Sequence, residues 1–130
     1  YGFYLTPLQN FEKGKTVFYP HGYSNYFFHP THPHELIIVS TENNKVSILN
    51  CLSGEIVRTI SKGKEYAFCN IDPVTGNYLF RNSYYVLITN ENGDELFRMR
   101  SEDTSPYLAN NILTCWAGAA INVEPYLKKP

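Results

Sequence analysis

The feature that most constrains the fold is a pattern of short strands and short turns that occurs twice along the chain. In its first copy, three apolar or alternating runs follow one another over residues 36–60, separated by polar turns at 41–44 and 52–54. Alternation of apolar and polar residues is typical of half-buried strands, and turns this short join antiparallel neighbours. Residues 36–60 are therefore predicted to form a three-stranded antiparallel meander.

The same pattern returns at residues 77–99, where apolar runs are again joined by short polar turns. Gly54 in the first copy and Gly93 in the second stand at equivalent turns, separated by roughly one repeat length of about 40 residues. Glycine suits such turns because it adopts positive φ without a steric penalty. The repetition indicates that one structural unit occurs at least twice in the chain.

A further strand precedes each meander and ends in a polar residue followed by proline. The first of these strands leads into His29-Pro30 and the second into Asp72-Pro73, and the run before Glu124-Pro125 indicates the start of a third unit at 119–125. Proline cannot donate to a strand ladder, so it ends the strand and begins the turn. The predicted four-stranded units cover about residues 24–60 and 66–100.

The fold class predicted from these patterns is all-β and antiparallel. Eleven tyrosines and eight phenylalanines support it, because aromatic side chains suit a pleated, half-buried surface. A separate apolar run at 15–19 is predicted to be the last strand of a preceding unit, whereas residues 107–117 fit a short helix or a strand equally well. The strands of the two units are predicted near residues 26–28, 36–40, 45–49, 55–60, 66–71, 77–80, 84–89 and 95–99.

Four antiparallel strands in roughly 40 residues, with proline closing the first, resemble the blades of a β-propeller of the WD40 or quinoprotein-like kind. The resemblance covers about residues 24–100. A ring needs at least four blades, so residues 1–130 are interpreted as a single β-domain or as a propeller fragment. Its open sheet edges would then require another chain, a second copy, or further residues of its parent chain. A small β-sandwich or barrel is the alternative fold.

Charge and composition exclude several functional classes. Eleven basic against twelve acidic residues give a net charge of −1, which disfavours nucleic-acid binding. No apolar run approaches the roughly 18 residues needed to cross a bilayer, so no membrane association is predicted. Three widely spaced cysteines make a poor disulfide framework, which favours a cytoplasmic or nuclear location.

Only one cluster in the sequence resembles a metal site. It combines three imidazoles and a carboxylate within seven residues: His29, His32, His34 and Glu35, residue types that bind zinc. Two prolines in this segment favour a stiff surface turn whose three imidazoles point apart, so the histidines are weak metal candidates. No metal or other cofactor is predicted.

Exposed aromatic residues are the remaining functional signal. Tyr23, Tyr26, Tyr84 and Tyr85 are the candidate interface residues, because tyrosine is enriched where proteins meet. Packing between neighbouring units would explain the same residues. No catalytic constellation is recognised, so the chain is predicted to be a non-catalytic protein–protein interaction or scaffold module. A propeller-type enzyme or metal-binding domain centred on residues 29–35 is one alternative, and a peptide-binding domain that acts by strand addition is another.

Overall fold

The computed structural model describes residues 2–5, 15–18, 24–115 and 118–129, whose regular secondary structure consists of short β-strands joined by turns and loops. A single turn of 3-10 helix lies at Glu124–Tyr126. The strands are β1 (Gly2–Leu5), β2 (Lys15–Phe18), β3 (Ser24–Phe28), β4 (Glu35–Ser40), β5 (Val46–Asn50), β6 (Glu55–Ile60), β7 (Ala67–Ile71), β8 (Tyr78–Arg81), β9 (Tyr85–Thr89), β10 (Glu95–Arg100), β11 (Tyr107–Ala109), β12 (Ile112–Thr114) and β13 (Ala120–Asn122).

These strands form antiparallel sheets in which each strand pairs with its neighbour in sequence. Strands β3 to β6 make sheet 1, β7 to β10 make sheet 2 and β11 to β13 make sheet 3, while β1 pairs with β2. The all-β, antiparallel fold class is therefore confirmed. Each predicted strand of the two units is present, with ends that differ by no more than two residues.

The structure corrects the predicted start of a third unit at 119–125. Strand β13 lies in this segment, but it pairs with β12 and is the last strand of sheet 3. Sheet 3 begins instead at Tyr107, in the stretch that the sequence left open between helix and strand. The reason is a tight turn at Asn110 and Asn111, whose φ angles of 51° and 60° are those of a two-residue hairpin.

Sheets 1 and 2 pack together through a first apolar cluster. Alternate residues of β4 and β5, among them Ile37 and Ile48, meet Tyr78 and Phe80 of β8. The rings of Tyr78 and Phe80 are stacked with centroids 6.4 Å apart, and Phe68 contacts both edge-on. The aromatic residues of this segment therefore serve mainly to join the two sheets.

A second apolar cluster joins sheets 2 and 3. Val86 and Ile88 on the other face of β9 meet Leu108 and Leu113 of sheet 3. The central strands β8 and β9 of sheet 2 are thus buried on both faces, which explains their near-continuous apolar sequences. Val46, Ile48, Val86 and Ile88 are each fully buried, the first two between sheets 1 and 2 and the last two between sheets 2 and 3.

The other face of sheet 1 carries a third cluster. Leu36, Ile38 and Leu49 are buried there, on the face opposite to Ile37 and Ile48. Strand β4 is therefore buried on both of its faces, which explains its unbroken apolar sequence.

The end of the described chain returns to the outer edge of sheet 2. The backbone N–H of Lys128 donates to the carbonyl of Leu96 at 2.8 Å, and Leu127 packs against the second cluster. This contact covers part of the β10 edge. In the part of the chain that the structure describes, no helix is long and apolar enough to span a bilayer.

Candidate functional site

The turn after β3 is organised by the side chain of His29. Its Nδ1 atom accepts hydrogen bonds from the backbone N–H groups of Thr31 and His32, both at 3.2 Å. The ring is 6% exposed. Burial, followed by the nearby charge of His32, lowers the pKa of His29 from 6.5 to about 4. His29 is therefore a neutral acceptor that stabilises its own turn at physiological pH.

Three potential metal ligands converge at this turn. The ligand atoms of His29, His32 and Glu35 lie within 4.8 Å of one another, and the His29 and His32 rings are in edge contact at 4.3 Å. The prediction that all three histidine rings point apart was thus wrong for this pair, because both rings fold into one turn. His34 is exposed and lies outside the cluster.

The hydrogen bonds of His29 oppose metal binding. A histidine that ligates a metal through one ring nitrogen usually carries a proton on the other and donates it to an acceptor. Here Nδ1 faces two N–H donors and carries no proton, so a metal on Nε2 would require a fully deprotonated ring. Arg58 also places its cationic Nη2 atom 2.7 Å from the Glu35 carboxylate. The cluster is better explained as a hydrogen-bonded turn than as a metal centre.

The equivalent turn of sheet 2 is organised by Asp72, which is fully buried. Its Oδ1 atom accepts hydrogen bonds from the backbone N–H groups of Val74 and Thr75. In sheet 1, His29 Nδ1 accepts hydrogen bonds from the corresponding N–H groups of its own turn. The same carboxylate also accepts the N–H groups of Asn110 and Asn111 from the first turn of sheet 3, at 2.8 and 2.9 Å. His29 and Asp72, the polar residues before Pro30 and Pro73, therefore share a role in stabilising their turns, and Asp72 additionally connects two sheets.

These hydrogen bonds determine the ionisation of Asp72. Burial alone raises the pKa of this carboxyl, but the backbone hydrogen bonds from Asn111, Val74 and Asn110 outweigh burial and hold the pKa below its ordinary range. The carboxylate is therefore charged, and its hydrogen bonds to the Asn110–Asn111 turn hold sheets 2 and 3 together. Asp72 thus has a structural role.

Between the turns of sheets 1 and 2 lies a polar cavity of about 330 Å³. His32 lines it from sheet 1, and Asn90 and Glu91 line it from sheet 2. The Nε2 atom of His32 is 3.9 Å from the Glu91 carboxylate, and both side chains are about half exposed. The cavity is an open, solvated recess beside the His29 turn.

The most exposed apolar surface lies along β3. The exposed fraction is 63% for Tyr26, 48% for Phe27 and 89% for Phe28, so three consecutive aromatic residues of one strand remain accessible. Within the described residues β3 pairs with β4 alone, which leaves its other edge open. Tyr26, a candidate interface residue, thus lies on an exposed surface, whereas Tyr23 lies outside the described residues.

Phe27 and Phe28 border a groove of about 210 Å³ between the first strands of the three sheets. We call this the aromatic groove. Its apolar wall includes Phe68 of β7 and Tyr107 of β11, and the Phe27 and Phe68 rings lie 6.1 Å apart. Each side chain in its lining is uncharged. Sequence analysis missed Phe68 and Tyr107 because their proximity to β3 depends on how the sheets stack.

The other predicted interface tyrosines lie elsewhere, on the outer part of sheet 2. The guanidinium of Arg100 lies over the Tyr84 ring and that of Arg98 over the Tyr85 ring, at 5.8 and 5.7 Å. Tyr84 is 55% exposed and Tyr85 is half-buried. Arg98 is further held by Glu95 at 2.7 Å. Tyr85 is therefore engaged in intramolecular packing, and Tyr84 remains accessible on one side.

The three cysteines are free and half-buried. Burial raises the pKa of the Cys69 thiol to about 12, and burial also raises the pKa of Cys51 and Cys115. A nucleophilic or metal-binding cysteine needs the opposite shift, because the thiolate is the reactive form. All three behave as small apolar residues.

No protein-family model matches the sequence, and neither the curated proteins nor the solved structures contain a significant match to it. Function must therefore be inferred from the geometry of the chain itself, and the aromatic groove is the candidate functional site.

Proposed function

We propose that this chain is a non-catalytic protein–protein interaction module, part of a β-propeller-like stack of sheets in a larger protein or assembly. The observation that carries the proposal is the aromatic groove, an accessible apolar surface beside an open strand edge. Clustered exposed aromatic residues are enriched where proteins bind one another.

The shape of the groove favours an extended, uncharged segment of a partner protein. The edge of β3 that pairs with no described strand offers backbone donors and acceptors, so a partner strand can add to the sheet and gain main-chain hydrogen bonds. The rings of Phe27, Phe28 and Tyr107 would then contact its side chains. A charged partner segment would lose hydration in this lining without gaining an ion pair.

The chemistry of the remaining candidate groups supports a binding role over catalysis. His29 uses its Nδ1 atom to stabilise a turn, and the Asp72 carboxylate is saturated by backbone donors. The cysteine thiols have raised pKa values. Free cysteines also fit the reducing conditions of the cytoplasm or nucleus, which is the location we propose.

A phage-displayed library of random peptides tests the proposal. The library is selected on the immobilised wild-type chain, and the dissociation constants of selected peptides are then measured for the wild type and for Phe27→Asp. We expect selected peptides to be apolar and uncharged, and to bind Phe27→Asp at least about tenfold more weakly, because loss of one aromatic anchor often costs about 2 kcal/mol.

Leu52→Asp is the matched control, since Leu52 is 75% exposed in a turn outside the groove. Peptides should bind this variant as tightly as the wild type. Equal binding to Phe27→Asp and the wild type, or selection of only charged peptides, would contradict the proposed site.

A further inference from the structure

Sheet 3 has three strands, whereas sheets 1 and 2 have four. In each of the larger sheets the fourth strand, β6 or β10, lies at the sheet edge. Among the described strands β13 pairs with β12 alone, and β1 and β2 pair with each other. The residues after β13 do not form a fourth strand either, because the N–H of Lys128 donates to Leu96 of sheet 2. The repeated pattern is therefore incomplete at the outer edge of β13.

The backbone of β13 can accept a further strand at this edge. The N–H of Val123 donates to the carbonyl of Asn111, at the β12 side of the strand. Along an antiparallel strand, the backbone groups of successive residues point alternately to one neighbour and to the other. The N–H and C=O groups of Ala120 and Asn122 therefore point away from β12.

A cavity of about 510 Å³ lies beside this edge, between β13 and the end of sheet 2. Met99 of β10 and Ile121 of β13 form part of its apolar wall, and both also pack on the second cluster. Glu102 and Asp103 line the same cavity. Glu102 is exposed, and none of the ion pairs among the described residues includes it. The cavity thus combines an apolar wall with carboxylates.

Strand β10, the fourth strand of sheet 2, shows which side chains such a position carries. Arg98 lies opposite Leu87 of the first cluster, so it is on the face of sheet 2 toward sheet 1. Its guanidinium donates to the Tyr66 hydroxyl at 2.8 Å, in the segment just before β7. A fourth strand of sheet 3 would in the same way face the segment before β11, where Glu102 and Asp103 lie. A basic side chain fits this position.

We infer that a short, extended, basic segment of a partner protein adds to β13 as the fourth strand of sheet 3. Its backbone pairs with the outward groups of Ala120 and Asn122. One of its lysine or arginine side chains enters the cavity, where the aliphatic part packs on Met99 and Ile121. The cationic end of this side chain reaches the Glu102 carboxylate and makes a charge-assisted hydrogen bond.

This contact goes beyond the proposed function, because it is a second interaction surface with a ligand of different chemistry. The aromatic groove lies between the first strands of the sheets and takes an uncharged segment, whereas the β13 edge takes a basic one. Two residues of β13 offer outward backbone groups, so an isolated peptide should bind with a dissociation constant of roughly 0.1–1 mM. Binding this weak is lost during the washing steps of a phage selection.

Nuclear magnetic resonance titration of the isotope-labelled chain tests the inference. The probe is an acetylated and amidated peptide with the sequence of Glu95–Arg100, the strand that holds the fourth position in sheet 2. We expect amide shifts at residues 119–122 and 102–104. A control peptide that carries Arg98→Glu and Arg100→Glu should bind at least about fivefold more weakly, because attraction to the cavity carboxylates is replaced by repulsion.

Variants of the chain separate the charge from the strand edge. Glu102→Lys should abolish the preference for the basic peptide, whereas Glu42→Lys, an equal charge change in an exposed turn of sheet 1, should keep it. Ala120→Pro removes an outward N–H and should abolish binding of the basic peptide. Proline is tolerated where the N–H points away from the ladder, so sheet 3 should remain folded. Ala120→Ser keeps the N–H and should bind like the wild type.

Three outcomes would overturn the inference: amide shifts outside β13 and the cavity, equal binding of both peptides by the wild type, or unchanged binding by Ala120→Pro. Circular dichroism and the thermal midpoint establish that each variant is folded. Glu102→Lys, at an exposed position, decides the test if Ala120→Pro does not fold.

Phe27→Asp distinguishes this site from the aromatic groove. The variant should bind the basic peptide like the wild type and lose the peptides selected for the groove. Normal groove binding without binding of the basic peptide rejects the β13 contact alone, and the reverse result rejects the groove alone.

Discussion

The two interfaces between the stacked sheets have similar apolar interiors and different polar borders. Between sheets 2 and 3, the Asp72 carboxylate accepts hydrogen bonds from the backbone N–H groups of Asn110 and Asn111. The side-chain amide of Asn70 also donates to the Leu108 carbonyl and accepts from the Leu108 N–H. Between sheets 1 and 2, the equivalent His29 bonds only within its own turn, and an open cavity lies beside it. One interface is therefore fixed by charge-assisted hydrogen bonds, whereas the other depends on apolar packing.

Asp72→Ala should produce the largest effect. The change leaves four backbone N–H groups without their acceptor, and losing one partner of a buried charged network costs about 3–5 kcal/mol. We expect the free energy of unfolding in urea to fall by that amount. His29→Ala is the matched change at the equivalent turn and should cost only about 0.5–2 kcal/mol, as for other lost caps. Equal losses would remove the proposed difference between the interfaces.

Ile48→Ala and Ile88→Ala compare the apolar interiors directly. Both residues are 0% exposed, the first in the cluster between sheets 1 and 2 and the second in that between sheets 2 and 3. Each change should lower the free energy of unfolding by about 2–4 kcal/mol, within the range of buried Ile→Ala substitutions. A loss below about 0.5 kcal/mol at either site would show that its interface is not a packed core.

The two interfaces should also differ in their response to acid. The folded pKa of His29 is about 4, below its unfolded value, so the unfolded state binds more protons between pH 6.5 and 4. Stability should therefore fall by about 2–3 kcal/mol as the pH decreases through this window. The pKa of Asp72 is also lowered, so its contribution is lost only as the pH falls below about 4.

His29→Asn isolates this titration, because asparagine keeps an oxygen acceptor for the turn and has no ionisation in this range. Urea unfolding of both proteins at several pH values should show a steep decline above pH 4 for the wild type and a shallow one for His29→Asn. Parallel profiles would mean that His29 does not cause the acid sensitivity.

Zinc should have the smallest effect. Because Nδ1 of His29 is occupied by two N–H donors, isothermal titration with zinc chloride should detect no stoichiometric binding, and the thermal midpoint should stay unchanged. His32→Ala serves as the control for weak surface binding. One-to-one binding by the wild type that is absent from His32→Ala would restore the metal-site interpretation.

The strands of sheets 1 and 2 could be predicted from sequence because alternation, short turns and X-Pro endings are local signals. Gly54 and Gly93 were placed at equivalent turns, and both adopt positive φ, 75° and 88°. The hairpin at Asn110–Asn111 was missed because asparagine reaches positive φ less often than glycine, so the turn signal is weaker.

The candidate site was only partly predictable for a different physical reason. The exposure of Tyr26 follows from its place on an edge strand, but the aromatic groove also needs Phe68 and Tyr107, which come from other sheets. Likewise, the side chain of Asp72 meets the Asn110–Asn111 turn 38 residues later. Such contacts depend on the stacking of sheets, which leaves no local pattern in the sequence.

Residue-resolved hydrogen exchange in dilute protein tests the central claim most directly, namely that sheet 2 is enclosed by both neighbours while β3 forms an open edge. Amides of β8 and β9 should exchange only through global unfolding. Those of β3 should exchange at least about 100-fold faster, through local opening. Equal protection of β3 and β9 in the monomer, or rapid exchange throughout β8 and β9, would contradict the stacked arrangement.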